Sequence, residues 1–156
     1  MLKKNLLKNL FMAEKDYDSR MHTAEHILNS VTDRMFGCGR SFRSHIEKKK
    51  SKCDYHFDRN LTQTEIQTVE TAVNEIISMN IVITEEFVTR AVAEANYFTG
   101  KLPSDSGDNI RIVKIGSYDA CPCIGPHVKS TGEIGSFYFT TIDFESGVLR
   151  MRFKLK

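Results

Sequence analysis

Residues 137–155 read FYFTTIDFESGVLRMRFKL, and they decide the fold class. In the second half Leu149, Met151, Phe153 and Leu155 fall on one side and Arg150, Arg152 and Lys154 on the other. That is the two-residue period of a half-buried strand. Ser146-Gly147 supplies a turn, and the β-branched and aromatic run 137–144 supplies a partner, so the stretch is a hairpin. Residues 53–57, 81–88 and 110–115 are further short strands of the same composition. Two helices complete the reading. One covers residues 19–36, with Ser19 as its N-cap and Gly37 just past its end. Its stripe of Met21, Ala24, Leu28, Val31 and Met35 faces a core. The other opens at Thr62-Gln63-Thr64-Glu65, a capping box, and buries Ile66, Val69, Val73 and Ile76. Helices and strands do not alternate as βαβ units. The expected class is α+β, with helices packed on an antiparallel sheet.

The bulk composition narrows the function classes. A chain of 156 residues with 40% apolar and 27% charged residues buries a core without disulfide support. No run approaches the ~20 apolar residues of a membrane span, and the start, MLKKNLLKNLF, lacks the cleavage site of a signal peptide. Four cysteines without framework spacing point to a reducing, cytoplasmic setting and to metal or catalytic use. No repeat or Pro/Gly-rich linker divides the sequence, so residues 1–156 read as one domain, with 1–15 as an N-terminal extension.

Two short motifs carry the chemistry. His22 and His26, four residues apart in the first helix, share one face a turn apart, and that face points away from the Met21/Leu28/Met35 stripe. An exposed pair without a role is the plain alternative. Far downstream, Cys123-Ile124-Gly125-Pro126-His127 places a thiolate and an imidazole on one tight turn. Three imidazoles and a thiolate make a nitrogen- and sulfur-rich donor set that suits tetrahedral Zn²⁺.

The ordered motifs His22-Thr23-Ala24-Glu25-His26, Cys123-Ile124-Gly125-Pro126-His127-Val128 and Ser130-Thr131-Gly132-Glu133-Ile134-Gly135 resemble the editing domains of alanyl- and threonyl-tRNA synthetases. They are most similar to the free-standing alanyl-tRNA editing proteins known as AlaX. The likeness runs from about Asp16 to the end of the chain. It implies the synthetases' second-additional-domain fold, a zinc site of His22, His26, Cys123 and His127, and hydrolysis of mischarged tRNA. Of the two neighbouring thiols, Cys121 is an alternative ligand, but only Cys123 has the family's spacing to His127. AlaX-type proteins usually have threonine where this chain has Pro126, and Cys-x-Gly-Pro-His is more typical of the threonyl enzymes. The chain ends at Lys156 without the further domain that longer relatives use for tRNA recognition.

The expected substrate is the ester of an aminoacyl-tRNA, with Ser-tRNA(Ala) first, Gly-tRNA(Ala) beside it and Ser-tRNA(Thr) as the alternative. Four protein ligands close a zinc site formally, so either one ligand yields a position or the ion positions the amino acid. Thr23 and Cys121 are candidates for shaping the amino-acid pocket. Lys101 is a candidate for the terminal nucleotide, and Lys48, Lys49 and Lys50, in a basic loop, for acceptor-stem phosphates. Two rival classes remain. One is a metalloenzyme of the His-x-x-Glu-His type, an inverted zinc peptidase with Glu25 as general base or an S-ribosylhomocysteinase-like lyase. The other is a zinc-stapled RNA-binding module without catalysis. In the editing reading Glu25 is a helix position with no role of its own.

Overall fold

The computed structural model describes residues 18–156; the N-terminal extension lies outside them. Helix α1 (Ser19–Phe36) is followed by a hairpin of β1 (Arg43–Ile46) and β2 (Ser51–His56), then α2 (Gln63–Ser78). Next come β3 (Ile83–Val88), the short α3 (Arg90–Asn96), β4 (Ile110–Ile115) and β5 (Asp119–Pro122). A 3₁₀ turn (Thr131–Ile134) leads into β6 (Phe137–Glu145) and β7 (Val148–Leu155). The fold is α+β, with all strand pairs antiparallel. The strands form not one sheet but two, β1-β2-β7-β6 and β3-β4-β5. Among the described residues no helix is long and apolar enough to cross a membrane.

Each layer follows from its sequence. The β6–β7 turn places Ser146 and Gly147 at φ 49° and 79°, the left-handed pair that suits a two-residue hairpin. Leu149, Met151 and Phe153 then face inward and are fully buried. They meet Tyr55 and Cys53 from β2, the α1 residues Met21, Ile27 and Leu28, and the α2 residues Val69 and Val73. Each such side chain contributes roughly 1.5–3 kcal/mol on leaving water. The second sheet has a small core of its own, in which Ala93 of α3 packs on Ile110 and Ile112 of β4.

Several expectations need correction. The N-cap of α1 is Asp18, not Ser19: its carboxylate accepts from the backbone amides of Arg20 and Met21, each at 3.0 Å. A carboxylate accepts two amide protons at once, which a hydroxyl does less well. Met35 does not complete the apolar stripe, being 38% exposed in the last turn of the helix, past the buried run from Met21 to Thr32. The histidine face of α1 is not a free surface either. Every residue from Met21 to Thr32 is buried, so the helix is covered on all sides.

Candidate metal centre

Helix geometry brings His22 and His26 together, and the turn after β5 brings Cys123 and His127 to meet them. One potential ligand atom from each of the four lies within 4.8 Å of all the others. Nε2 of His22 is 3.3 Å and Nε2 of His127 is 3.4 Å from Sγ of Cys123. A tetrahedral zinc with bonds of ~2.0–2.1 Å to nitrogen and ~2.3 Å to sulfur has nitrogen–sulfur edges of about 3.5 Å. The donor set therefore fits that ion in both chemistry and spacing.

Each imidazole is turned by a different partner on its far side. Nδ1–H of His22 donates to the carbonyl of Pro126 at 3.0 Å. Nδ1 of His127 lies 2.9 Å from Oγ1 of Thr23. Nδ1 of His26 lies 3.3 Å from Oδ2 of Asp119, off the line of an ideal hydrogen bond. In each case the outer nitrogen faces a polar partner, leaving Nε2 turned toward the shared centre, the arrangement typical of metal-binding histidines.

Cys123 and His127 have the protonation states a metal needs, whereas His26 would give up a proton on binding it. Burial alone would raise the Cys123 thiol, but hydrogen bonds from His127, His22 and His26 bring it down to about 3, a thiolate at neutral pH. Burial, with the charges of His26 and His22 nearby, lowers His127 to about 4, so its ring is neutral. Burial opposes charge on His26 too, yet Asp119 and the Cys123 thiolate raise it to about 9.

The turn is built for close approach. A Cβ on Gly125 would lie 2.3 Å from Cε1 of His22, so only glycine lets the backbone lie flat against that ring. Arg111 of β4 fastens the turn from behind, donating to the carbonyls of Cys123 at 3.3 Å and Gly125 at 2.8 Å. Ile124, within this turn, is 75% exposed.

Glu25 emerges as part of the site, contrary to the expectation of a helix position without a role. It is buried, its Oε2 lies 3.9 Å from Nε2 of His22, and Oε1 accepts from Ser44 at 2.9 Å. Lys101 reaches into the same group, 3.6 Å from that Oε1 and 3.1 Å from the hydroxyls of Ser41 and Ser44. Burial would keep Glu25 protonated, but the charges of His26, Lys101 and His22 lower its pKa, so it is a carboxylate at neutral pH. Asn29 orders this layer from below, accepting from the Ser41 amide and the Tyr55 hydroxyl.

The other predicted residues fall into three places. Thr23 is fully buried behind His127, donating to the Ser19 carbonyl and accepting from the Val128 amide, so its hydroxyl is engaged with the backbone and the His127 ring. Cys121 is outside the four-residue group, and burial pushes its thiol up to about 12. Lys48, Lys49 and Lys50 are exposed in the β1–β2 turn. From Ser44, beside Glu25, to Lys48 is four residues, roughly 13 Å of extended strand. The Thr-Gly-Glu-Ile-Gly run is architectural: the Thr131 hydroxyl donates to the carbonyls of Ile76 and Ile77 and accepts from the Ile81 amide. It ties the end of α2 to the core.

Comparison with known proteins agrees with this geometry. The family described as the threonyl and alanyl tRNA synthetase second additional domain matches residues 110–150, which include Cys123 and His127. The alanine–tRNA ligase of Aeropyrum pernix is 30% identical over 141 residues, covering 86% of this chain and 15% of the ligase. That of Pseudothermotoga lettingae is 37% identical over 122 residues, 76% of this chain and 14% of the ligase. That of Methanococcus vannielii is 30% identical over 158 aligned positions, 93% and 17%. The chain thus spans less than a fifth of the length of these relatives. By sequence, fold and ligand geometry together, this chain is related to the editing domains of alanyl- and threonyl-tRNA synthetases.

Proposed function

We propose that this protein is a zinc-dependent deacylase of mischarged aminoacyl-tRNA, acting first on Ser-tRNA(Ala). The observation that carries the reading is the convergence of His22, His26, Cys123 and His127 on one point, with a spacing that suits zinc. When bound, zinc would supply a Lewis acid and lower the pKa of a nearby water toward ~7. The chain's own residues do the rest. Pro126, Asp119 and Thr23 each face Nδ1 of one imidazole and hold its ring in orientation, so little reorientation is needed during reaction. Glu25 keeps a carboxylate charge beside His22 and pairs with Lys101, whose ammonium would meet the ribose or phosphate of the terminal nucleotide. Lys48, Lys49 and Lys50 would neutralise acceptor-stem phosphates, which gives affinity without reading sequence.

Serine is distinguished from alanine by one hydroxyl, and a site built to hold that group leaves a polar partner unsatisfied with alanine. Pro126 acts on the ligand turn: it fixes its own φ, restricts Gly125, and its carbonyl accepts from His22. It therefore bears on the metal and not on the choice of tRNA. The test is a panel of Ser-tRNA(Ala), Gly-tRNA(Ala) and Ser-tRNA(Thr), each with and without chelator. Chelator-sensitive hydrolysis of the serine ester, with Ala-tRNA(Ala) spared, supports the proposal. Tight tRNA binding with no hydrolysis of any ester would replace it with a zinc-stapled binding module.

A further inference from the structure

Two largely buried charges, Asp119 and Arg40, sit in line behind His26, and the ligand set alone does not require them. Asp119, the first residue of β5, is 9% exposed and lies four positions before Cys123. Its Oδ2 faces Nδ1 of His26 at 3.3 Å, while its Oδ1 is 2.5 Å from Nη1 of Arg40 and its Oδ2 3.3 Å from Nη2. Arg40 stands in the connection between α1 and β1, and its side chain is only 14% exposed. Burying an arginine and a carboxylate costs several kcal/mol per ion, and well-packed apolar residues of similar volume often serve stability as well or better. A pair kept under those conditions, in contact with a ligand, calls for a reason other than packing.

His26 supplies that reason. His22 rests on a backbone carbonyl and His127 on a hydroxyl, both neutral. Among the described residues, the carboxylate of Asp119 faces Nδ1 of His26. We infer that Asp119 and Arg40 are the positioning pair of the metal centre: Arg40 fixes the carboxylate in a two-pronged grip, and the carboxylate holds Nδ1–H of His26 so that Nε2 faces the other three ligands. A carboxylate in that position also makes the imidazole a stronger donor, as in other carboxylate–histidine–metal chains. The pair touches no substrate and acts through His26. This inference rests on the metal reading above.

The test separates positioning from packing. Asp119→Asn keeps an oxygen acceptor but loses the charge. The double variant Asp119→Leu/Arg40→Met replaces the buried pair with apolar side chains. Zinc affinity is measured by competition with a fluorescent chelator, and the ligand field by the absorption of the Co²⁺-substituted protein. Both variants should bind zinc about 10–100-fold more weakly, with a shifted cobalt spectrum, and the metal-free double variant should melt no lower than the native chain. Asp119→Glu should recover part of the affinity. Native affinity in either folded variant would overturn the inference and leave the proposed function standing. Loss of a cooperative melt in the double variant would also overturn it, because the pair would then be a structural device. Failure of the native protein to bind zinc would overturn the metal reading itself.

Discussion

Oγ1 of Thr23 lies 2.9 Å from Nδ1 of His127, and the same hydroxyl donates to the carbonyl of Ser19 and accepts from the amide of Val128. One hydroxyl on α1 thus fixes both the ring of a ligand and the backbone that follows it. Thr23→Val keeps the shape and removes all three bonds. It should weaken metal binding roughly 10-fold or more, while Thr23→Ser should restore most of the loss. Chelator competition on the three proteins measures this; equal affinities would reduce Thr23 to a packing residue.

The purified protein should carry about one zinc per chain, the stoichiometry of a single tetrahedral site. His22→Ala and Cys123→Ala each remove a ligand and should sharply lower that content by elemental analysis. Full zinc in both variants would place the metal elsewhere.

Gly125→Ala tests the turn without altering a ligand. The added methyl would meet the ring of His22, so the turn and the ring must part. The expected outcome is a folded protein with a native-like circular dichroism spectrum and a zinc affinity reduced at least as far as in Thr23→Val. Native affinity would mean that the turn yields at no cost.

The metal-free protein should lose stability on acidification from pH 6.5 to 4. The Cys123 thiol, held at about 3, contributes stability that is full above its ordinary pKa and is lost as pH falls toward 3. His127, held neutral down to about 4, opposes folding increasingly as the unfolded chain's imidazole takes up protons below 6.5. His26, raised to about 9, has the opposite sign: its contribution is full below 6.5 and is lost only as pH rises through 9. It is therefore constant in this window and cannot compensate. Thermal melts across the window should show the midpoint falling, and Cys123→Ser should roughly halve the slope. A flat profile for the native chain would contradict the assigned protonation states.

Glu25→Gln separates the editing reading from the inverted-peptidase one. The amide still accepts from Ser44 but no longer restrains the Lys101 ammonium. A higher KM for tRNA with kcat within a few-fold is expected. A loss of ~10²-fold or more in kcat at unchanged KM would make Glu25 a proton carrier.

The parts of this molecule legible in its sequence are those set by local spacing. Two histidines four apart on a helix share a face whatever surrounds them. The Thr62–Glu65 capping box and the Ser146-Gly147 turn are likewise complete within a few residues, and both stand as expected. The missed elements are short. β1 and β5 have four residues each and α3 seven, too few for a period to show. Asp119 and Arg40 were hidden for a different reason. Their partners lie far away along the chain, as with Arg40 and Asp119, 79 residues apart. Nothing in the neighbouring sequence marks a charge that will be buried.

The ligands are drawn from both halves of the fold, two from a helix seated in the large core and two from the turn that leaves the three-stranded sheet. Among the described residues that sheet shares a separate buried cluster of only three, Ala93 of α3 with Ile110 and Ile112, and reaches the main core through Ile115, a pattern of low local stability at its outer part. A metal bridging the two would act as a clasp on a loosely sewn panel. With the clasp open, amide hydrogens of β3, β4 and β5 exchange through local opening, ahead of those in β2 and β7. With it closed, the panel opens only when the whole garment does. Metal supply in the cell would then set how long the chain survives proteases, as well as whether it has a working site.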